Sequence, residues 1–377
     1  MPRNATNIFG IPVDLMDMSQ VVEAIFVMIE EYHSCPQPKY VATLNVDFLN
    51  NAHSWSSRAH PRNPILLQSL REAHLTTADG MPIVWMSRLL GHAIPERVTG
   101  ADLVPLLARK AGDKEKSLFF LGGQEVIATE AVQRLKRQYP RLKIAGIACP
   151  WIEDIESNPS KVTPQDAEIV EVINAANPDI LLISFGNPKQ ELWFRRVRKI
   201  LQVPVTLGIG GTLAFITGAI PRAPKLMQML GLEWLYRLKQ EPSRLWKRYV
   251  SGGLKFLVMA TPLLAYHSIS ALRVRSKVRD AIKMSDHNHL PVIELPSILD
   301  KTNSHFLIHS ILKALNDSNT VILNFKNVIY LDAASIACLI ELSQKAHSIG
   351  KKISEVALMP WTRKLLRAHR ASDIFAH

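Results

Sequence analysis

Short apolar runs alternate with helical periods through about the first 215 residues of the chain. Runs that are apolar along their whole length are typical of strands buried on both faces of a parallel sheet. The segments between them, such as 125–139 and 164–176, have the spacing of amphipathic helices. This alternation predicts an α/β fold with a mostly parallel, Rossmann-like sheet covered by helices. The predicted strands are YVATLNVDF (40–48), SLFFLGG (117–123), LKIAGIA (142–148), DILLISFG (179–186) and VPVTLGIGG (203–211).

Polar or glycine-rich turns lie at the ends of these predicted strands. In folds of this kind ligands bind beyond the carboxyl ends of the strands, so we expect a site where the turns meet. The polar residues of FGNPKQE form either a structural turn at Asn-Pro or a set of contacts to a nucleotide. The turns are TLN (43–45), GGQ (122–124), FGNPKQE (185–191) and GIGGT (208–212).

A basic, tryptophan-bearing arm follows the predicted sheet. Residues 218–255 contain eight Lys or Arg against two acids, a net +6 out of the chain's +12. Such charge favours anionic partners: nucleic acid, phosphorylated substrates or anionic lipid. Trp234 and Trp246 are typical of anchoring at a membrane interface rather than of a solvated helix. We therefore expect an anionic membrane surface as a partner, and no nucleic acid.

The longest apolar run, FLVMATPLLAY at 256–266, contains Pro262 and has about half the length of a spanning helix. It is predicted to lie on a surface or to be buried, and the alternative is a membrane span. The N-terminal residues lack the basic and apolar regions of a secretory signal. We expect a cytoplasmic protein, peripheral on the inner face of the cell membrane.

The pattern changes twice along the chain and predicts three parts. Segment 271–283 is predicted to be a charged linker helix. Beyond it, strand-like runs (VIEL, TVILNFKNVIYLD and KKISEVAL) alternate with helical segments near 304–316, 333–348 and 360–370, which predicts a small α/β domain. The expected parts are an α/β core (1–217), a basic helical appendage and linker (218–283) and a C-terminal domain (284–377).

The glycine turn after the last core strand is compatible with dinucleotide binding, which would make the chain a nicotinamide-dependent oxidoreductase. The match is poor, because Leu213 stands where the third small residue is expected. The glycines Gly210 and Gly211 would still let backbone amides approach a phosphate at a helix N-terminus. A tight strand-to-helix turn without a ligand is the other interpretation.

Asp79 lies between a β-like run and a helix, so it is either an N-cap or a general base near the sheet edge. The cysteines are scattered, and no Asp-x-Asp or HExxH pattern occurs. We therefore expect no metal and no cofactor, with basic side chains neutralising any phosphate.

Several strings together identify the region from about residue 5 to 255 as similar to the WecG/TagA/CpsF glycosyltransferases, glycosyltransferase family 26. The resemblance implies an inverting, metal-independent hexosyltransferase, N-acetylmannosaminyl- or related. It implies a UDP-sugar donor and a lipid-diphosphate-linked sugar acceptor, in the biosynthesis of a cell-surface polysaccharide or cell-wall polymer. The strings are VTGAD (98–102), ADG (78–80), FGNPKQE, GIGG (208–211), GAIPRAP (218–224) and GLEWLYRLKQEPSRLWKRY (231–249).

The resemblance also implies roles for single residues. Asp79 resembles the base that deprotonates the acceptor hydroxyl, and Thr43 the threonine beside it. The arginines of the appendage, with Lys247 or Arg248 as a third basic group, resemble those that hold the diphosphate of UDP. The candidates are Asp79 and Thr43 for catalysis and, for substrate binding, Asn45, Gln190, Gly210, Gly211, Arg222, Arg237, Arg244 and Arg248.

One position departs from the family pattern. An aspartate usually follows the glycine turn, and Ala214 stands there in this chain. Donor binding is then rebuilt from other groups, or the donor sugar differs, or activity is reduced. The alternative to an enzyme is therefore an inactive, transferase-like scaffold that binds a partner through its C-terminal domain.

The C-terminal region, about 290–377, resembles a STAS domain through TVILNFKNVIYLDAASIACLIEL and MPWTRKLLRAHRASDIF. In switchable members a phosphorylatable serine follows the aspartate, but here Asp332 is followed by Ala333. The resemblance implies a passive docking module with a protein partner rather than a phosphorylation switch.

Overall fold

The computed structural model describes residues 3–153, 155–274, 282–287 and 290–375. Its largest sheet has six strands in the order β4-β3-β8-β7-β5-β6, and every neighbouring pair is parallel. A separate antiparallel hairpin, β1–β2, precedes it. The strands are β1 (Ala5–Ile8), β2 (Ile11–Asp14), β3 (Lys39–Leu44), β4 (Leu75–Ala78), β5 (Ser117–Leu121), β6 (Lys143–Ala148), β7 (Ile180–Ile183) and β8 (Val205–Gly208).

Helices cover both faces of this sheet, and we call strands β1–β8 with these helices the core. Along β7, Ile180 and Leu182 pack into one apolar cluster while Leu181 and Ile183 pack into the other, as the two-residue period of a strand requires. The helices are α1 (Met18–Ser34), α2 (Val46–Ala52), α3 (Pro64–Arg71), α4 (Met81–Leu89), α5 (Gly100–Asp113), α6 (Glu125–Gln138), α7 (Pro164–Ala176), α8 (Lys189–Val197) and α9 (Thr212–Ile216).

The predicted parallel, helix-covered sheet is confirmed, with three corrections. The strand predicted over 40–48 ends at Leu44, because Asn45 caps α2 and starts a helix. Strand β6 is partly exposed rather than buried on both faces, because it lies at the sheet edge. The hairpin β1–β2 was not predicted.

Three helices follow the core, and we call them the arm: α10 (Lys225–Met229), α11 (Glu233–Gln240) and α12 (Pro242–Val274). Helix α12 has 33 residues, so it is about 50 Å long. The segment 256–266, predicted to lie on a surface or to be buried, does both: Met259 and Leu263 lie in the apolar cluster of the core, whereas Leu257 and Val258 are exposed. Of the helices in the described ranges, none is both long and apolar enough to cross a membrane. The linker helix predicted over 271–283 lies largely outside the described residues.

The C-terminal domain contains a mixed four-stranded sheet, β14-β12-β10-β9, and a small parallel pair, β11–β13. The run predicted as one strand, TVILNFKNVIYLD, is divided between β12 and β13 in different sheets. The elements are β9 (Lys283–His287), β10 (Leu290–Glu294), β11 (Ile298–Leu299), α13 (Ser304–Asp317), β12 (Thr320–Asn324), β13 (Tyr330–Leu331), α14 (Ala333–Ser348), β14 (Lys352–Val356) and α15 (Pro360–Ala368).

Candidate active site

The fold brings four of the predicted site residues to one edge of the core sheet. Asp79 follows β4, Asn45 follows β3, Gly210 follows β8, and Gln190 lies in α8 after β7. These four strands are neighbours in the sheet and run parallel, so their carboxyl ends meet at the same edge. A backbone hydrogen bond from Asp79 N to Leu44 O, at 2.7 Å, joins the ends of β4 and β3.

Asp79 lies beside Asn45, which donates a side-chain hydrogen bond to it. The side-chain oxygen of Asn45 is already used, because Oδ1 accepts from Asp47 N at 3.0 Å and so caps α2. The N-cap of α4 is Gly80, so the capping alternative for Asp79 is wrong. The carboxylate is therefore left available for chemistry.

The surroundings of Asp79 tune its acidity. Burial raises the pKa of this carboxyl to about 7, while Arg97 and Arg237 act to lower it and Glu233 acts to raise it. A base is most effective when its pKa lies near the working pH, because it is then both ionised and able to take a proton. Asp79, with a pKa of about 7, meets this requirement at neutral pH.

A cluster of guanidinium groups from different parts of the chain adjoins Asp79. Arg97 Nη1 and Arg222 Nε lie 2.8 and 3.3 Å from the two carboxylate oxygens of Glu233. Arg222 and Arg237 both lie over the ring of Phe215, at 5.7 and 5.1 Å from its centroid. Among the described residues, the buried Nε of Arg237 has no hydrogen-bond partner. The cluster thus offers a donor and positive charge to an anion beside Asp79.

The glycine turn is tied to α8. Gln190 is buried, and its Oε1 accepts from Gly210 N at 3.1 Å, so this amide is already used. Gly210 has a φ of +51°, and a Cβ there or at Gly211 would meet no atom within 4 Å. Thr43 is buried too, and its hydroxyl donates to Gly208 O at 3.1 Å. In the described structure Gln190 and Thr43 fix the strand ends that shape the site.

A model of the glycosyl transferase WecG/TagA/CpsF family matches residues 6–267, which is more than half of the chain. The chain belongs to the WecG/TagA/CpsF family. A STAS domain model matches residues 281–377.

Two relatives within the family carry the same name, N-acetylglucosaminyldiphosphoundecaprenol N-acetyl-beta-D-mannosaminyltransferase. The protein of Bacillus spizizenii is 32% identical over 190 residues, which cover 50% of this chain and 69% of the relative. The protein of Bacillus subtilis strain 168 is 31% identical over 182 residues, which cover 48% of this chain and 66% of the relative. Both alignments are shorter than the family match.

The remaining basic candidates of this family member lie on α12. Arg248 pairs with Asp47 on α2, and its Nε donates to Asp47 Oδ2 at 2.9 Å. This pair fastens α12 to the helix that Asn45 caps. The side chain of Arg244 lies outside the part of the chain that the structure describes, so its role stays a prediction.

Four residues of the site were not predicted from the sequence: Arg97, Asp102, Phe215 and Glu233. Arg97 immediately precedes the family string VTGAD, and Asp102 belongs to it and pairs with both terminal nitrogens of Arg222 at 3.1 Å. Glu233 lies in the family string GLEWLYRL, but its spacing indicated only an amphipathic helix. Asp102 and Glu233 thus lie in family strings, Arg97 and Phe215 lie outside them, and the contacts of all four residues depend on the fold.

Among the described residues, no three His, Cys, Asp or Glu side chains form a group that could hold a metal ion. Two acids of the site, Asp102 and Glu233, are instead paired with arginines.

Proposed function

We propose that this family member is an inverting, metal-independent glycosyltransferase that uses a UDP-sugar. It moves an N-acetylmannosaminyl or related hexosyl group to a polyprenyl-diphosphate-linked acceptor, in the biosynthesis of a cell-surface polysaccharide or cell-wall polymer. The observation that carries the proposal is the half-buried Asp79, with a pKa raised to about 7, beside the cluster of Arg97, Arg222 and Arg237. The names of the relatives support the acceptor.

The proposed step needs a base on one side of the sugar and positive charge on the other. The Asp79 carboxylate takes the proton of the acceptor hydroxyl, whose oxygen forms a bond to the anomeric carbon of the donor. The bond from that carbon to the diphosphate oxygen breaks, and UDP leaves with the electron pair. Guanidinium groups already held in place stabilise the charge that develops on the leaving diphosphate. A single displacement inverts the anomeric configuration.

The arm supports a peripheral place on the inner face of the cell membrane, where lipid-linked acceptors are held. Large apolar side chains are exposed along it, whereas Leu245 is fully buried and fastens α12 to the rest of the chain. Lysines and arginines lie among these apolar groups, which suits an anionic interface. The exposed side chains are Leu226, Met229, Leu230, Trp234, Leu235, Trp246, Val250, Leu254, Leu257, Val258, Ile269 and Leu272.

The three-part division into an α/β core (1–217), an appendage with linker (218–283) and a STAS-like domain (284–377) remains our proposal for the domains. The alternative function, an inactive scaffold, rests on Ala214, which lies in α9 where the family pattern has an aspartate. The Asp79 carboxyl group and the arginines beside it are all present, which favours an enzyme.

The test is UDP release from a panel of UDP-sugars with a polyprenyl-diphosphate-linked N-acetylglucosamine acceptor on vesicles. We expect release with one N-acetylhexosamine donor, in the presence of EDTA as well as without it. Calorimetry with UDP accompanies the assay, because an inactive scaffold would bind UDP without turnover. Calorimetry with NAD tests the oxidoreductase alternative, and we expect no binding. Strict dependence on Mg²⁺ or Mn²⁺ would contradict the assignment of the leaving-group charge to arginines.

A further inference from the structure

The C-terminal domain is docked on the core through the start of α14. Asp332, which is buried, caps this helix by accepting from Ser335 N at 2.7 Å. Its other oxygen accepts from Lys301 N at 2.9 Å and lies 3.0 Å from His92 Nε2 of the core. Burial alone would raise the pKa of Asp332, but hydrogen bonds from His92 and Ser335 hold it below its usual value. The aspartate is therefore ionised, and His92 donates to it.

The end of α15 forms the other half of this docking face. The fully buried Asn7 of β1 donates to His369 O at 3.2 Å and lies 3.1 Å from His369 Nδ1. Gly10 has a φ of +81°, and a Cβ there would lie 2.3 Å from Arg370 O, so the two backbones are in close contact. Arg71 bonds both to Arg370 O and to Asp373. The contacts of Asn7 with His369 are buried, whereas Asp373 at the end of this face is partly exposed.

Apolar packing is continuous across the same face. Ala333 at the start of α14 and Ala368 at the end of α15 belong to the apolar cluster that fills the core. Tyr266 of α12 also meets Trp361 of α15, with ring centroids 5.2 Å apart. The position that follows Asp332 is thus buried inside the molecule. The partner of this face is the core of the same chain.

Helix α4 links this docking face to the active site. It begins at Met81, two residues after Asp79, and ends at Leu89, three residues before His92. Ser87 holds the turn that carries His92, because its carbonyl accepts from His92 N at 3.0 Å and its hydroxyl accepts from Ile94 N at 2.9 Å. The contact of His92 with Asp332 therefore joins the C-terminal domain to the turn at the far end of the helix that follows the base.

We propose that the C-terminal domain is a built-in support of the active site, which holds α4 through the His92–Asp332 contact and so keeps the Asp79 carboxylate in place. His92 and Asp332 are positioning residues, and the proposal rests on the proposed role of Asp79. A separate protein partner of the C-terminal domain, as the STAS resemblance implies, would need a different surface.

The test compares three variants of the full chain. His92→Ala removes the donor to Asp332, and His92→Gln restores one, since a glutamine amide reaches about as far as Nε2. Glu341→Gln is the matched control: it weakens a core contact farther along α14, the pair of Glu341 with Arg3 at 2.9 Å, without touching α4. Two readouts are taken: kcat with the donor KM, and hydrogen exchange of peptides from 81–92 and from α6.

We expect His92→Ala to lower kcat about tenfold or more while the donor KM stays within about twofold, because a small displacement of the base slows chemistry more than binding. Exchange should rise in 81–92 and stay unchanged in α6, and His92→Gln should restore both readouts. Unchanged kcat and exchange in His92→Ala would overturn the proposal, as would equal losses in Glu341→Gln or faster exchange throughout the chain. If the wild-type chain transfers no sugar, the proposed function fails, and exchange in 81–92 alone then decides whether the domain supports α4.

Discussion

Desolvation raises the pKa of both the Asp79 and the Glu191 carboxyl group to about 7, yet Glu191 is buried, Asp79 is partly exposed, and their neighbours differ. Glu191 is enclosed by neutral donors: Tyr40 Oη and Asn187 Nδ2 each donate to it at 2.9 Å. Asp79 instead has one amide beside it and faces the guanidinium cluster at the open edge of the sheet. A raised pKa alone does not identify a base, because both groups have it. The groups around each carboxyl distinguish Glu191, a structural acid, from Asp79, a candidate base.

Substitution of the two acids should give the largest difference in kcat. Asp79→Asn should lower kcat by about 10² to 10⁴, the usual effect of losing a general base, and leave UDP affinity within about threefold. Glu191→Gln should keep most of the activity, because an amide retains the shape and one acceptor for the surrounding donors. Turnover and UDP calorimetry measure both. Equal losses in the two variants would remove the distinction between the groups.

The guanidinium cluster gives the next largest effect. Arg237→Ala should lower kcat on the order of 10²-fold, because a preorganised donor to developing charge is lost. Lys239→Ala, which removes an exposed positive charge from the same helix α11, is the matched control and should change kcat less than about twofold. Steady-state kinetics with saturating acceptor separates the two. Similar losses would mean that the net charge of the arm matters more than the position of Arg237.

The pKa of Asp79 predicts the acid limb of the pH profile. The base must be ionised, so kcat/KM should rise about tenfold per pH unit below about 7 and level off above it. The sign for stability is the reverse: the folded-state pKa is raised, so the stabilisation linked to this group is present at low pH and is lost as the pH rises through about 7. Glu191→Gln should leave the kinetic limb in place. A limb near pH 4 would contradict the effect of burial on Asp79.

The sequence predicted the core sheet and its active edge because both depend on local patterns. Uniformly apolar runs marked the strands, and the turn after each strand carried Asn45, Asp79 or Gly210. The contacts that distinguish the site join distant residues, such as Arg97 with Glu233, 136 positions apart. The contacts that dock the C-terminal domain on the core join residues even farther apart in the sequence, since Asn7 donates to His369 O across 362 positions. No periodicity or local motif reports such pairs.

Two exposed tryptophans, Trp246 and Trp151, also differ in their surroundings. Their substitution should give the smallest of the predicted effects, a change in membrane binding. Trp246 lies on α12 among other exposed apolar residues, with 58% of its surface accessible, whereas Trp151, at 75%, follows strand β6 with Lys189 over its ring. An indole gains free energy at a membrane interface only where neighbouring groups also reach the interface.

Trp246→Ala should therefore weaken sedimentation with anionic liposomes about threefold to tenfold, while Trp151→Ala should leave it unchanged. Raising the salt concentration from about 0.1 to 0.5 M should weaken binding of the wild-type chain further, because the contribution of the arm's lysines and arginines is screened. Circular dichroism establishes that both variants are folded. If Trp151→Ala weakens binding and Trp246→Ala does not, the membrane contact lies at the edge of β6, and the arm has another role.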